Sequence, residues 1–430
     1  MNDTIKVLHI TAHMGGGIGK ALSGLVLNTP PECGISHSIA CIESPEKTQF
    51  LEQLTDSGCL VIVAPSHENL ARLIEATDVV QLEWWGHPAI IAALCGGPLP
   101  AMRLLVWCHV SGIHTPIIPA RLMESSHRCL FTSPCSYEAA EVAQLLPTHK
   151  KRLDVVYSAG GFDGFELPDR RCDAPLAAGY LGSLNFAKLH PRYVEFLSAV
   201  IIPDFTVRMI GDITNRDILE QQCRQAGRPD MLKFHGYTTD VASELATINV
   251  LPYLLNPQHY GTTENALLEA MAMGVLPTVL DNPAARCLIT DRKTGLVITT
   301  PRELGDSVAW LTHHPQERQN IALQAALSVR DRFAVGRMTE AFNRQYASVC
   351  EEDKDVIYFD AMFGRTPSEW FLASQRHPEF FISNERSDMI DDLTLPGLLE
   401  RSKGSVFHYS KKFPNDTRLS QWAERLEVLA

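Results

Sequence analysis

The feature that most constrains this chain is a rhythm. Short apolar runs of strand length, IKVLHIT, HSIACIE, CLVIVAP, DVVQLEW, RLLVWCHV, CLFTSP and LDVVYSA, alternate with helical patterns such as NLARLIEA and SYEAAEVAQLL. After residue 175 it restarts with AAGYLGS, FTVRMIGD, LKFHGY, INVLPYL, VLPTVLD and GLVIT, with DILEQQCRQAG between. Continuous apolar strands joined by helices predict parallel sheets with crossover connections, and the restart predicts two of them. The Gly-, Pro- and Asp-rich stretch GGFDGFELPDRRCDAP is the expected linker. Ligands of open parallel sheets bind beyond the carboxyl ends of the strands, so two such domains would present facing walls of one cleft.

At 430 residues the chain is too long for one ordinary core. A formal net charge of −12 argues against nucleic acid or an anionic membrane as a general partner. The 11 cysteines include no CxxC and no zinc-ligand spacing, and read as reduced core residues of a cytoplasmic protein. No signal peptide is expected. The window AIIAALCGGPLPAMRLLVWCHV, broken by GGPLP and Arg103, reads as helix, loop and buried strand, not a membrane span. Beyond residue 350 aromatics mix with acids and the alternation stops, which marks residues 351–430 as an appended module for assembly or for shaping an acceptor site, with a homodimer as one outcome.

Candidate chemistry sits at the strand ends. Gly15, Gly16 and Gly17 follow the first strand, where backbone can approach a ligand and a helix start favours an anion. GGGIGKA does not keep the dinucleotide spacing, so a nicotinamide site is not expected. His109 closes a buried strand and is either structural or a donor to a hydroxyl or developing charge. Glu83, Trp84, Trp85 and His87 close another; indole faces with a carboxylate suit an acceptor sugar, although one Trp in the core and one against a loop is the competing reading. Lys188 lies on the loop after the turn Gly182–Ser183, ahead of a helix expected to open at Pro191, and is placed for a phosphate. In HYGTTENALLEAMAMG, Thr262 or Thr263 suits an N-cap, Gly261 permits close approach, and Glu264 complements the helix start. Glu269 falls in the second turn of a helix that is apolar all round, with no cation one turn away. Its acceptor pair suits the two hydroxyls of a ribose, with a distant salt bridge as the alternative.

These residues resemble the retaining, nucleotide-sugar-dependent glycosyltransferases of the GT-B fold, in particular the large family 4, over about residues 5–350. The resemblance implies an α/β, GT-B architecture: Rossmann-like parallel-sheet domains at 1–168 on the acceptor side and 169–335 on the nucleotide-sugar side, facing a central cleft. A helix at 336–350 returns to the first domain, and the extension follows. It implies transfer from a nucleoside-diphosphate sugar, UDP-linked in the first expectation, to an acceptor hydroxyl with retention, no cofactor and no metal. Glu269 matches the ribose-binding Glu, Gly15–Gly17 the glycine loop and His109 the His near the donor sugar. Lys188 matches one diphosphate-binding cation, while Ser183 stands where an Arg is expected. The first Glu of the family's pair falls at Gly261, and Glu264, three residues on, either reaches the sugar or only caps the helix; the first is the expectation. His109, Lys188 and Glu264 are thus the expected catalytic residues. A sugar-nucleotide epimerase, a phosphorylase or a catalytically silent scaffold of the same fold are the alternatives.

Overall fold

A computed structural model of the chain describes residues 4–45, 48–169, 171, 174–383 and 390–428. The first sheet consists of β1 (Ile5–Thr11), β2 (Ile35–Cys41), β3 (Leu60–Val63), β4 (Val79–Trp84), β5 (Leu104–Cys108), β6 (Arg128–Phe131) and β7 (Leu153–Val155). The second consists of β8 (Ala178–Leu181), β9 (Val207–Ile210), β10 (Leu232–Gly236), β11 (Val250–Tyr253), β12 (Leu276–Leu280) and β13 (Leu296–Ile298). The orders are β3-β2-β1-β4-β5-β6-β7 and β10-β9-β8-β11-β12-β13. Every pair is parallel, with Val7 opposite Val79 and Val250 opposite Leu276. All thirteen expected strands form. β4 and β5 are buried at every position, as strands covered by helices on both faces must be.

The strand order reverses between β1 and β4 in one sheet and between β8 and β11 in the other. A crevice opens at each reversal because the flanking helices leave on opposite faces. Into the first run the glycine loop after β1 and the Trp84–His87 segment after β4. Into the second run Gly182 after β8 and the loop to Glu264 after β11.

Phe333 lies in the core of the second domain, and the helix Val335–Cys350 then crosses to the first. There Met338, Phe342, Tyr346 and Val349 share a buried cluster with Val7, Leu105 and Trp107. The extension covers this domain too. Phe359, Phe363, Phe371, Phe381, Phe407 and Tyr409 belong to the same core as Leu82, Trp84 and Ile91. The segment TPSEWF folds locally because Thr366 and Glu369 form a capping box around a proline at the first turn. Of the aromatics between residues 358 and 381, Tyr358 is exposed and Phe380 half-buried, whereas Phe359, Phe363, Trp370, Phe371 and Phe381 are buried. No helix among the described residues is long and apolar enough to cross a membrane, and all ten described cysteines are free thiols.

Candidate active site

The first wall begins at the glycine loop. Gly15 is the N-cap of the helix Gly16–Asn28, and its N–H donates to His13 Nδ1 at 3.1 Å. Gly16 has φ +62°, a left-handed conformation that costs glycine nothing. A Cβ on Gly17 would stand 3.1 Å from Asn265 Nδ2 on the opposite wall, so the loop approaches the second domain closely. One turn into the helix, Lys20 Nζ lies 2.5 Å from Glu269 Oε1. The carboxylate in the apolar helix Asn265–Ala272 is therefore neutralised by a cation from the other domain, and the distant salt bridge exists. Glu269 keeps 13 % side-chain exposure, and its second oxygen is a further acceptor.

The strand-end cluster of the first domain differs from expectation. Trp84 is fully buried and stacks on Phe363 of the extension with ring centroids 5.5 Å apart. Trp85 is buried among His13, His87 and His109. His87 caps the helix Pro88–Cys95, its Nδ1 accepting from Ala89 N–H at 3.2 Å, and packs edge-on against His408 of the extension. Burial, then the positive charge of His408 and His13, pulls the His87 imidazole down to about 2. Glu83 has no exposed surface. It accepts from His109 Nε2 at 2.6 Å and from Gln81 Nε2 at 2.7 Å, with His9 Nδ1 3.5 Å away. Burial opposes the charge on Glu83, but the hydrogen bond from His109 and the nearby His9 ring hold its carboxyl below the usual range. Glu83, Trp84 and His87 are thus not an acceptor-facing surface. The extension covers the indole, and Glu83 faces inward, where it fixes His109.

On the second wall, the helix expected to open at Pro191 instead runs over Tyr193–Ser198. Gly182 N–H donates to Ile210 O at 2.9 Å, and Ser183 Oγ accepts from Asn185 N–H at 3.3 Å and bonds Asp212. Ser183 is thus a turn residue. Lys188 Nζ sits 2.7 Å from Glu264 Oε2. Tyr253 Oη donates to the same oxygen at 3.0 Å, and His259 Nε2 lies 3.0 Å from Oε1. Burial favours the neutral form of Glu264, but Lys188 and His259 outweigh it and hold the carboxyl well below its ordinary range. Burial likewise lowers Lys188, and Glu264 more than restores it, leaving the ammonium above its ordinary range.

Two expectations about this loop fail. Thr262 and Thr263 are not N-caps; Glu264 occupies that position, without a side-chain capping bond. Thr262 Oγ1 instead meets Thr132 Oγ1 at 2.6 Å, and Thr263 Oγ1 donates to Thr132 O at 2.9 Å, tying the loop to the first domain. Ser111 N–H adds a bond to Tyr260 O at 2.9 Å. Gly261 explains the loop's shape. A Cβ there would fall 2.1 Å from Glu264 Oε1, so the carboxylate of Glu264 fills the space in which a side chain at 261 would begin.

Lys188, Gly261, Glu264 and Glu269 gather on the second wall, and the glycine loop with Lys20 meets them from the first, whereas His109 is held by Glu83 and packs on Trp85 and Trp107 within the first domain. Lys20, Tyr253 and His259 are members that sequence reasoning missed. Lys20 stands in GGGIGKA and His259 in HYGTTE, so motif proximity was the available signal. Among the described residues, no three His, Cys, Asp or Glu side chains are grouped to hold a metal ion.

Residues 174–327, the whole second sheet with its helices, match the family described as glycosyl transferases group 1. The whole two-domain body resembles solved glycosyltransferases. One from Rickettsia africae ESF-5 aligns over 82 % of this chain and 100 % of its own, with a TM-score of 0.61 at 14 % identity. The fold is GT-B. Anabaena HepE, solved with UDP and glucose, aligns over 80 % of this GT-B chain and 100 % of its own (TM-score 0.59, 16 % identity). A mutant form of Staphylococcus aureus TarM, solved with fondaparinux, α-GlcNAc-glycerol and UDP, aligns over 80 % and 99 % (TM-score 0.62, 8 % identity). No curated protein sequence matches. The expected architecture is borne out, and the match to the group 1 glycosyl transferases lies within the second domain.

Proposed function

We propose that the protein transfers a glycosyl group from a UDP-linked sugar to an acceptor hydroxyl, with retention of configuration and without a divalent metal. The observation that carries this reading is the Glu264 carboxylate, seated where a side chain at Gly261 would begin and bonded to Lys188. It supplies from the helix start the acid that the family's pattern carries and this chain lacks at 261. In the transfer, the acceptor oxygen bonds to the anomeric carbon as the bond from that carbon to the diphosphate oxygen breaks. The acceptor proton passes to the departing diphosphate. Lys188 stabilises the charge developing there, and a preorganised cation in a dry site is worth several kcal/mol. Glu264 holds sugar hydroxyls. Glu269 offers its second carboxylate oxygen to the ribose, and His109 faces the sugar. UDP-bound relatives of the same fold support the choice of nucleotide.

The test is UDP binding by calorimetry together with consumption of UDP-sugars in the presence of an acceptor panel. Glu264→Gln should lower turnover per folded molecule at least tenfold, about 1.4 kcal/mol of barrier. Tight UDP binding with no sugar consumed under any condition would replace this reading with that of a nucleotide-binding scaffold.

A further inference from the structure

Beside the cleft lies a second space that the transfer machinery does not use. It is a cavity of about 220 Å³ enclosed by the extension, the loop after His109 and the loop before Gly261. Phe371, Phe380, Phe381, Leu398 and Val406 of the extension supply an apolar lining. At the other end stand Ala187 and Tyr260, the immediate neighbours of Lys188 and Gly261. The cavity thus begins one residue from the site where the diphosphate is expected to leave.

Its charges are already balanced. Arg376 is bidentate to Glu141, at 2.6 and 2.8 Å, and also bonds Gly112 O and Ile113 O. Glu400 faces the same space with Lys403, whose ammonium lies over the Tyr260 ring at 5.4 Å from its centroid. Burial, partly offset by Lys403, raises the Glu400 carboxyl, which makes it a partner for a neutral hydroxyl. His377 and Glu379, also on the lining, pair with each other at 3.1 Å, so these charged side chains already have partners. An engineered apolar cavity of about 150 Å³ takes up benzene, so this one has room for one or two six-membered rings.

We propose that this cavity binds the non-sugar part of the acceptor: a neutral mono- or bicyclic apolar group bearing a hydroxyl, directed past Ala187 and Tyr260 to Lys188 and Glu264. The inference rests on the glycosyl-transfer reading for its role, but the binding site can be tested without it. Aromatic and aliphatic walls favour such a ring over water, and Glu400 offers an acceptor to a polar substituent. The extension would then define the acceptor class by closing the far side of the pocket.

The probe is 2-naphthol, titrated into the full-length protein by calorimetry. Gly397 stands exposed at the rim of the cavity, and a Cβ added there meets nothing within 4 Å, so Gly397→Phe adds a ring free to fold over the opening. Wild type should show one saturable site. Gly397→Phe should weaken it at least tenfold, Gly397→Ala should stay within about twofold, and all three should bind UDP alike. Phe380→Ala, which removes part of the wall, should weaken binding about fivefold and decides the matter if Gly397→Phe does not fold. No saturable site in wild type, or wild-type affinity in whichever of these two variants decides the matter, overturns the proposal. Saturation with 2-naphthol should also yield a glycosylated product or compete with a sugar acceptor. Binding without either effect overturns the acceptor role and leaves the transfer reading standing, whereas failure of wild type to bind UDP sinks that reading instead.

Discussion

Replacing Glu83 by Gln keeps its shape and removes its charge, which makes it the sharpest probe of the first wall. The carboxylate accepts from His109 Nε2 through one oxygen and from Gln81 Nε2 through the other. Tyr346 Oη donates to Gln81 Oε1 at 2.5 Å, so the Gln81 amide is held with its NH2 toward Glu83. Glu83 thereby places the proton of a neutral His109 on Nε2. A Gln offers one acceptor and one NH2 in the same place. If its oxygen faces Gln81, its NH2 faces His109 Nε2 and forces the proton to Nδ1. If it faces His109, two NH2 groups meet in a fully buried site. Either way at least one bond to a charged group is lost, worth about 1.5–3 kcal/mol. Urea unfolding of Glu83→Gln should show that loss with an unchanged slope. Long-range ¹⁵N–¹H spectra should show His109 protonated on Nδ1 or broadened by exchange, and the pH profile of turnover should move. An unchanged unfolding free energy with the Nε2–H tautomer retained would refute the reasoning.

His87 is buried with its pKa drawn down to about 2, and the neighbouring His408 is drawn to about 4. An unfolded chain binds these protons below about 6.5, so the stability they confer is complete above that pH and drains as pH falls, at up to about 1.4 kcal/mol per unit per imidazole. His87→Asn should flatten the pH dependence of urea midpoints between about pH 7.5 and 5, the span over which the unfolded imidazole takes up its proton; parallel curves would contradict this. A chain ending at residue 350 should aggregate or lose most of its stability, because it uncovers Trp84 and the helix Pro88–Cys95, and each large apolar side chain left in water costs about 1.5–3 kcal/mol. A monomeric, equally stable truncated chain would mean that the extension does not complete this core.

The strands were legible because a parallel strand buried on both faces writes itself as a continuous apolar run, as VVQLEW and LLVWC do. The glycine loop, Lys188 and Glu264 were legible as members of one site because each follows a strand end. What the sequence hides is contact at long range. Lys20 and Glu269 are 249 residues apart, so the helix around Glu269 looked as if it lacked a cation. The hydroxyls of Thr262 and Thr263 looked like caps because local rules know nothing of Thr132. Trp84 is the last residue of its strand, and it met an aromatic ring supplied by a segment with no strand–helix rhythm of its own. Nothing local in that segment says which surface its aromatics cover.

The ties across the cleft have a consequence for ligand entry. The free space beside Gly261, His259 and Glu264 is about 20 Å³, enough for a water molecule and far below the several hundred Å³ of a nucleotide-sized pocket. Lys20–Glu269, Thr132–Thr262 and Ser111–Tyr260 tie the two walls together here, so parting the walls breaks all three. At about 1 kcal/mol each, these contacts leave the open form at on the order of one molecule in a hundred. For a ligand that binds only the open form, the apparent affinity is the intrinsic one multiplied by that fraction, and the association rate is scaled down by the same factor. The resting protein is latched, and a ligand that needs the open cleft waits for the latch.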